Sequence, residues 1–159
     1  MTDVTEFKVN NRKLYLSPVM DPYNREIVSY EIAARPLPTM IESMLTKAFD
    51  RLGPDERPML HSDQGWQYRM PAFRKRLQEK RLVQSMSRKA NCLDNAAMES
   101  FFATLKCELL NINEFESVET LKGAIHDYIR YYNVDRIKVG LGGMSPVEYR
   151  VRGAALRCQ

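Results

Sequence analysis

Three early runs, Asp3 to Val9, Lys13 to Val19 and Glu26 to Ala34, are rich in Val, Ile, Tyr and Phe and are divided by Asn10-Asn11 and by Asp21-Pro22-Tyr23-Asn24. They read as an antiparallel meander. From Ile41 the spacing becomes helical, with Met44, Leu45, Ala48, Phe49 and Leu52 following until Gly53-Pro54; Thr39 and Glu42 are expected to form a capping box at its start. Pro58 to Ser62 is a short apolar strand ending in Asp63, Pro71 opens a polar helix to about Arg81, and Leu82 to Met86 is another short strand. Met98, Phe101, Phe102, Leu105 and Leu109 form one apolar stripe on a helix from Asn95 to Leu109. Ser117 caps a last long helix, with Glu119 in its first turn and Val118, Leu121, Ala124, Ile125, Tyr128, Ile129 and Tyr132 inward. Gly140-Leu141-Gly142-Gly143 ends that segment, and Ser145 to Tyr149 opens a short final turn. The order β-β-β-α-β-α-β-α-α predicts an α/β fold, a mixed sheet with helices on its faces.

The 159 residues, 44% of them hydrophobic, are enough for one domain with a substantial core. No apolar run reaches the roughly eighteen residues of a membrane span, and no signal pattern opens the chain, so a cytoplasmic protein is expected. Cys92, Cys107 and Cys158 have neither disulfide-framework nor zinc-site spacing. The net charge of +4 is unevenly spread: eight basic residues and one acid lie between Arg69 and Lys89, giving +7 there and −3 elsewhere. Such clustering is expected of a phosphate-binding face, and for Arg74 to Arg81 it is equally that of a solvated helix face.

Two carboxylates, Asp63 after its strand and Glu99 on the stripe-bearing helix, lie 36 positions apart, and Asp3 stands at the start of the first strand-like run. Two Asp and one Glu suggest a cage for divalent metal. Without His or Cys, these oxygen donors suit Mg2+ or Mn2+ rather than zinc. Measured from Met98 at about 100° per residue, Glu99 falls near 100°, Lys106 near 80° and Asn95 near 60°, all on one flank of the buried stripe. Lys106 is placed there to reach a phosphate; an isolated helix would simply carry Glu99 on its surface. Arg88 and Lys89, in a polar loop without periodicity, are either strand contacts or merely exposed. Tyr131-Tyr132-Asn133 with Arg136 and Lys138 could meet DNA or a second subunit. His61 and His126 read as packed or structural residues, and Trp66 as a core anchor.

Thr2-Asp3-Val4-Thr5-Glu6-Phe7, His61-Ser62-Asp63-Gln64-Gly65, the block from Ser85 to Glu99 and Gly142-Gly143-Met144-Ser145-Pro146-Val147-Glu148-Tyr149-Arg150 together resemble the catalytic half of a bacterial insertion-sequence transposase of the DDE type, a second-reading-frame product related to retroviral integrases. The resemblance implies a ribonuclease-H-like fold: a mixed five-stranded sheet with the first strand beside the fourth, making Asp3 and Asp63 neighbours. It implies a core over residues 1–150 and a tail over 151–159. It further implies DNA transposition by 3′-end cleavage and strand transfer, with Asp3, Asp63 and Glu99 holding two Mg2+ or Mn2+ ions. Lys106, Arg88, Lys89 and Asn95 would contact nucleic acid, and two or more copies would act on element ends and target DNA. The family's upstream helix-turn-helix and the first half of strand one would precede Met1, so an N-terminally truncated copy is expected. A structure-selective nuclease of the same fold and a non-catalytic DNA-binding or dimerising fragment are the alternatives.

Overall fold

The structure, a computed structural model, describes residues 1–87, 95–110 and 114–157. The meander forms as expected: β1 (Thr5–Val9), β2 (Arg12–Met20) and β3 (Ile27–Ala33) pair antiparallel, with Phe7 opposite Leu14 and Leu16 opposite Ile32. Asn10 and Asn11 turn the first hairpin with φ of 48° and 62°, a left-handed conformation that asparagine tolerates better than most residues. β4 (Met59–Ser62) pairs parallel with β5 (Val83–Met86).

One residue joins these two sheets. Thr2 bridges Val19 of β2 antiparallel and Ser62 of β4 parallel, and its N–H donates to His61 O at 2.8 Å. Its hydroxyl donates to Pro18 O at 2.8 Å, so this threonine is fully buried with its polar group satisfied. The first strand-like stretch thus lies beside the fourth strand, and the resulting array is the mixed five-stranded sheet expected of a ribonuclease-H-like fold.

Helices cover both faces because the strands alternate their apolar side chains. On one face Phe7, Leu14, Leu16, Ile27 and Ile32 pack with α4 (Ala96–Leu110) and α5 (Val118–Val134). On the other, Val19 and Leu60 pack with α1 (Pro38–Phe49), Tyr68 of α2 (Trp66–Arg69) and Phe73 and Leu77 of α3 (Pro71–Glu79). All five stripe residues of α4 are buried, as are Leu121, Ile125, Tyr128, Ile129 and Tyr132 of α5. Ser117 caps α5 by accepting from the Thr120 N–H. Among the described residues no helix is long and apolar enough to cross a membrane.

Local patterns misled at three points. The Thr39–Glu42 capping box does not form: Pro38 takes the first turn, where its missing N–H costs nothing, so Leu37 is the N-cap and Thr39 lies inside the helix. Trp66 is no core anchor but 54% exposed, because the short helix it opens turns Tyr68 inward instead. The final turn is a twelve-residue helix, α6 (Pro146–Arg157), running unbroken through position 150. Ion pairs from Glu26 to Arg51 (3.0 Å) and Arg150 (2.7 Å) tie α6 and the turn that follows α1 to the start of β3.

Candidate active site

Because Thr2 and Ser62 pair in parallel, the residues after them, Asp3 and Asp63, emerge side by side from adjacent strands. Backbone and side-chain donors fix both. Asp3 Oδ1 accepts the Val4 N–H at 2.7 Å, and Asp3 Oδ2 accepts Asn95 Nδ2 at 2.9 Å. Asp63 Oδ1 accepts the Gly65 N–H at 2.9 Å, an Asx turn that aims the carboxylate as the chain leaves β4. A Cβ at Gly65 would stand 2.9 Å from that same oxygen and 2.6 Å from Gln67 Nε2, so only glycine fits without displacement.

Asp3 is half-buried. Burial first, and then the charges of Asp63 and Glu99, push its carboxyl up to about 6, against the Val4 and Asn95 donors that pull it down. All three candidate carboxylates therefore share one electrostatic neighbourhood. Glu99, in the first turn of α4, is exposed at the rim. Among the described residues no three His, Cys, Asp or Glu side chains form a group close enough to hold a metal ion.

Tyr68 lies fully buried beneath the pair, its hydroxyl held un-ionised chiefly by burial and further by the charges of Asp3 and Asp63. His61 Nδ1 and Nε2 lie 3.0 Å from the hydroxyls of Ser85 and Ser87, respectively. With both nitrogens engaged, His61 is a strut between β4 and the end of β5. His126 pairs with the Tyr30 hydroxyl at 2.7 Å on the far side of α5.

The expected nucleic-acid contacts divide. Lys106 is half-buried on α4 with Nζ 5.6 Å from the centroid of Phe7, so α4 and β1 hold it on the flank that carries Glu99. Asn95 is not a surface contact: it is 5% exposed, its amide holds Asp3, and its Oδ1 has no partner among the described residues. Arg88 and Lys89, with the loop expected around them, lie outside the described residues. Within the basic stretch, Arg76 and Lys80 stand 5.8 and 5.9 Å from the Phe49 ring on the α1 side. Of the residues expected to meet DNA or a second subunit, Tyr132 is buried, Asn133 is bonded to the Ile27 backbone and Arg136 is paired with Glu108, so these three brace the fold, whereas Tyr131 is exposed and Lys138 half-buried.

Sequence reading missed Asn95 and Gly65 as supports. Asp63-Gln64-Gly65 carried a turn signal, and helix geometry already put Asn95 on the Glu99 flank. A cavity of about 560 Å3 lined by Met20, Phe49, Met59 and Leu82 includes none of the three carboxylates.

The integrase core domain family matches the chain twice, over residues 1–92 and over residues 99–152. The chain is 55% identical over 150 residues, 94% of its length, to the putative transposase InsK for insertion sequence element IS150 of Escherichia coli K12, and spans 53% of that relative. It is 50% identical over 151 residues, 95% of its length, to an uncharacterised transposase-like protein of Haemophilus influenzae, spanning 69% of it. Among solved structures it is similar to the HTLV-2 integrase catalytic core domain in complex with magnesium, with a TM-score of 0.72 at 18% identity, covering 93% of this chain and 92% of that one. The BIV integrase catalytic core domain aligns with a TM-score of 0.64 at 14% identity, covering 98% and 96% of the two chains.

Proposed function

Because this chain belongs to the integrase core domain family, we propose that it is the carboxylate-bearing core of an insertion-sequence transposase, acting on DNA by divalent-metal-dependent phosphoryl transfer. Cleavage at the element's 3′ ends and joining of those ends to a target strand are the two steps. The observation that carries this reading is the register of Asp3 with Asp63 on neighbouring strands, within electrostatic reach of Glu99.

The donor set fits hard divalent cations. It offers carboxylate oxygens without nitrogen or sulfur, and the nearest imidazole, His61, is occupied by two serines. Asp3, Asp63 and Glu99 would hold Mg2+ or Mn2+. When bound, a pair of such ions activates the attacking oxygen and stabilises the leaving oxygen of an in-line displacement at phosphorus. The protein's own groups position that chemistry: Gly65 aims Asp63, Asn95 and Val4 orient Asp3, and Lys106 meets a DNA phosphate beside Glu99. Arg88 and Lys89 add phosphate contacts, and two or more copies work together on DNA.

The test is a Mn2+ titration of thermal stability in wild type and Asp63→Asn, which removes a charge while keeping the shape. Wild type should gain about 2.7 kcal/mol at a hundredfold excess over Kd, and the variant none. An identical response in both would overturn the site. Incubation with pre-cut element ends separates a joining enzyme from a nuclease, since only the former yields strand-transfer product.

A further inference from the structure

On the other flank of α4 lies a cavity of about 380 Å3 whose wall includes Arg25, Ala96, Ser100, Tyr132, Lys138 and Leu141. Its chemistry is not that of a hydrophobic groove. Two cations face it, and among the described residues neither Arg25 nor Lys138 forms an ion pair. Lys138 is half-buried with Nζ 4.0 Å from the Tyr132 ring centroid. Burial, then the charges of Arg136 and Arg25, lower its pKa to about 8. The acid nearby, Glu108, is already engaged: Arg136 donates to it from Nε at 3.1 Å and from Nη2 at 2.6 Å, and the Tyr128 hydroxyl donates at 2.8 Å. Among the described residues the two positive charges thus border a concave, partly apolar site with no ion pair of their own, Glu108 acting on Lys138 only from a distance while bonded to Arg136, an arrangement that an entering anion would stabilise.

Two further features point to the same ligand. The first turn of α4, a fifteen-residue helix, contributes Ala96 and Ala97 to the wall, and backbone N–H groups at such a turn favour negative charge. Ser100 is exposed and offers a hydroxyl. Arg25 adopts φ of 65° where it closes a turn, its N–H donating to Asp21 O at 2.8 Å.

Helix geometry relates this cavity to the carboxylates. Around α4, Asn95 and Lys106 lie about 20–40° to one side of Glu99, whereas Ala96 and Ser100 lie about 60–100° to the other. We propose that this cavity binds a backbone phosphate of DNA, with Arg25 and Lys138 as its charge partners and the Ser100 hydroxyl as a donor, so that a strand crossing the start of α4 is held on both sides of Glu99. This rests on the reading of the chain as acting on DNA.

Duplex affinity is to be measured against salt concentration for wild type, Arg25→Asn and Ser100→Glu. Asparagine suits the left-handed backbone, and the glutamate puts a negative charge into the cavity from an exposed position, so neither variant should disturb the fold. In parallel, inorganic pyrophosphate is titrated while the Ser100 and Lys138 backbone amides are followed by NMR. The salt slope should fall by about one unit in each variant. Pyrophosphate should shift both amides in wild type and leave Ser100→Glu unmoved. Unchanged slopes with DNA binding intact overturn the proposal. A wild-type chain that binds no DNA defeats the reading beneath it; pyrophosphate shifts in that case reassign the cavity to a free phosphate, and their absence removes the site altogether.

Discussion

Asn95 donates from Nδ2 to Asp3 Oδ2 at 2.9 Å, a bond spanning 92 positions that ties the start of α4 to the strand edge carrying the first carboxylate. The bond favours the ionised form of Asp3, so Asn95→Ala should raise the Asp3 pKa above its value of about 6. Loss of an outer support of this kind is also expected to weaken metal affinity by about 10- to 100-fold. An NMR titration of the Asp3 carboxyl carbon checks the first outcome, and Mn2+ binding the second. An unmoved pKa would mean that the bond does not orient Asp3.

The same raised pKa sets a pH dependence. Asp3 ionises near 3.8 in the unfolded chain and near 6 in the folded one, so the folded form keeps its proton longer. That contribution to stability is complete below 3.8 and is lost as pH rises through 6. Asp3→Asn cannot ionise and should escape the loss. In chelator, its advantage over wild type should grow between about pH 4 and pH 7 to about 2–3 kcal/mol. Divalent metal at pH 7 should reverse the ranking. Urea denaturation across pH measures both, and a constant difference would count against the burial of Asp3.

Lys106 has a packing role over Phe7 and a proposed role at a phosphate, and two substitutions separate them. Lys106→Met keeps the stem on the ring and removes the charge, while Lys106→Glu reverses it. Both should weaken binding of all DNA sequences alike and lower the salt slope by about one unit. Stability should change by no more than about 1 kcal/mol. A loss confined to one sequence would indicate base reading instead.

Glu26, only 2% exposed, is charge-paired by Arg51 and Arg150, whose side chains are half in solvent. Arg150→Ala leaves a buried carboxylate with less compensation and frees α6 from the sheet. The expected cost is about 1–2 kcal/mol, below that of a fully buried pair because the arginine is solvated. Amide exchange should accelerate selectively in α6. Exchange that stays protected would show that packing against α5, not this ion pair, holds the helix.

Each element's own periodicity was legible in the sequence, because alternation and helical spacing are properties of a segment turning about its own axis. The stripe from Met98 to Leu109 fixed which side of α4 is buried, and with it the flank on which Glu99, Asn95 and Lys106 lie. Asn10-Asn11 marked its turn for an equally local reason, the asparagine tolerance for positive φ. Asp3 stood out as an acid at the start of the first strand-like run, and motif resemblance placed it beside Asp63, sixty positions away in sequence.

What a side chain touches once its segment is placed was decided only in three dimensions. Thr2 draws the first stretch between β2 and β4, which half-buries Asp3 and raises its pKa; nothing around Thr2 in sequence encodes Pro18 or His61 as partners. Asn95 looked like a nucleic-acid contact and became the support of a carboxylate. Arg136 looked free to bind and was claimed by Glu108, while Trp66 lost its place in the core to Tyr68 two residues on. In each case a local pattern sets the direction of a side chain, and the partner that meets it is brought there by packing across long sequence separation, where competition among neighbours for the same buried volume or charge decides the outcome.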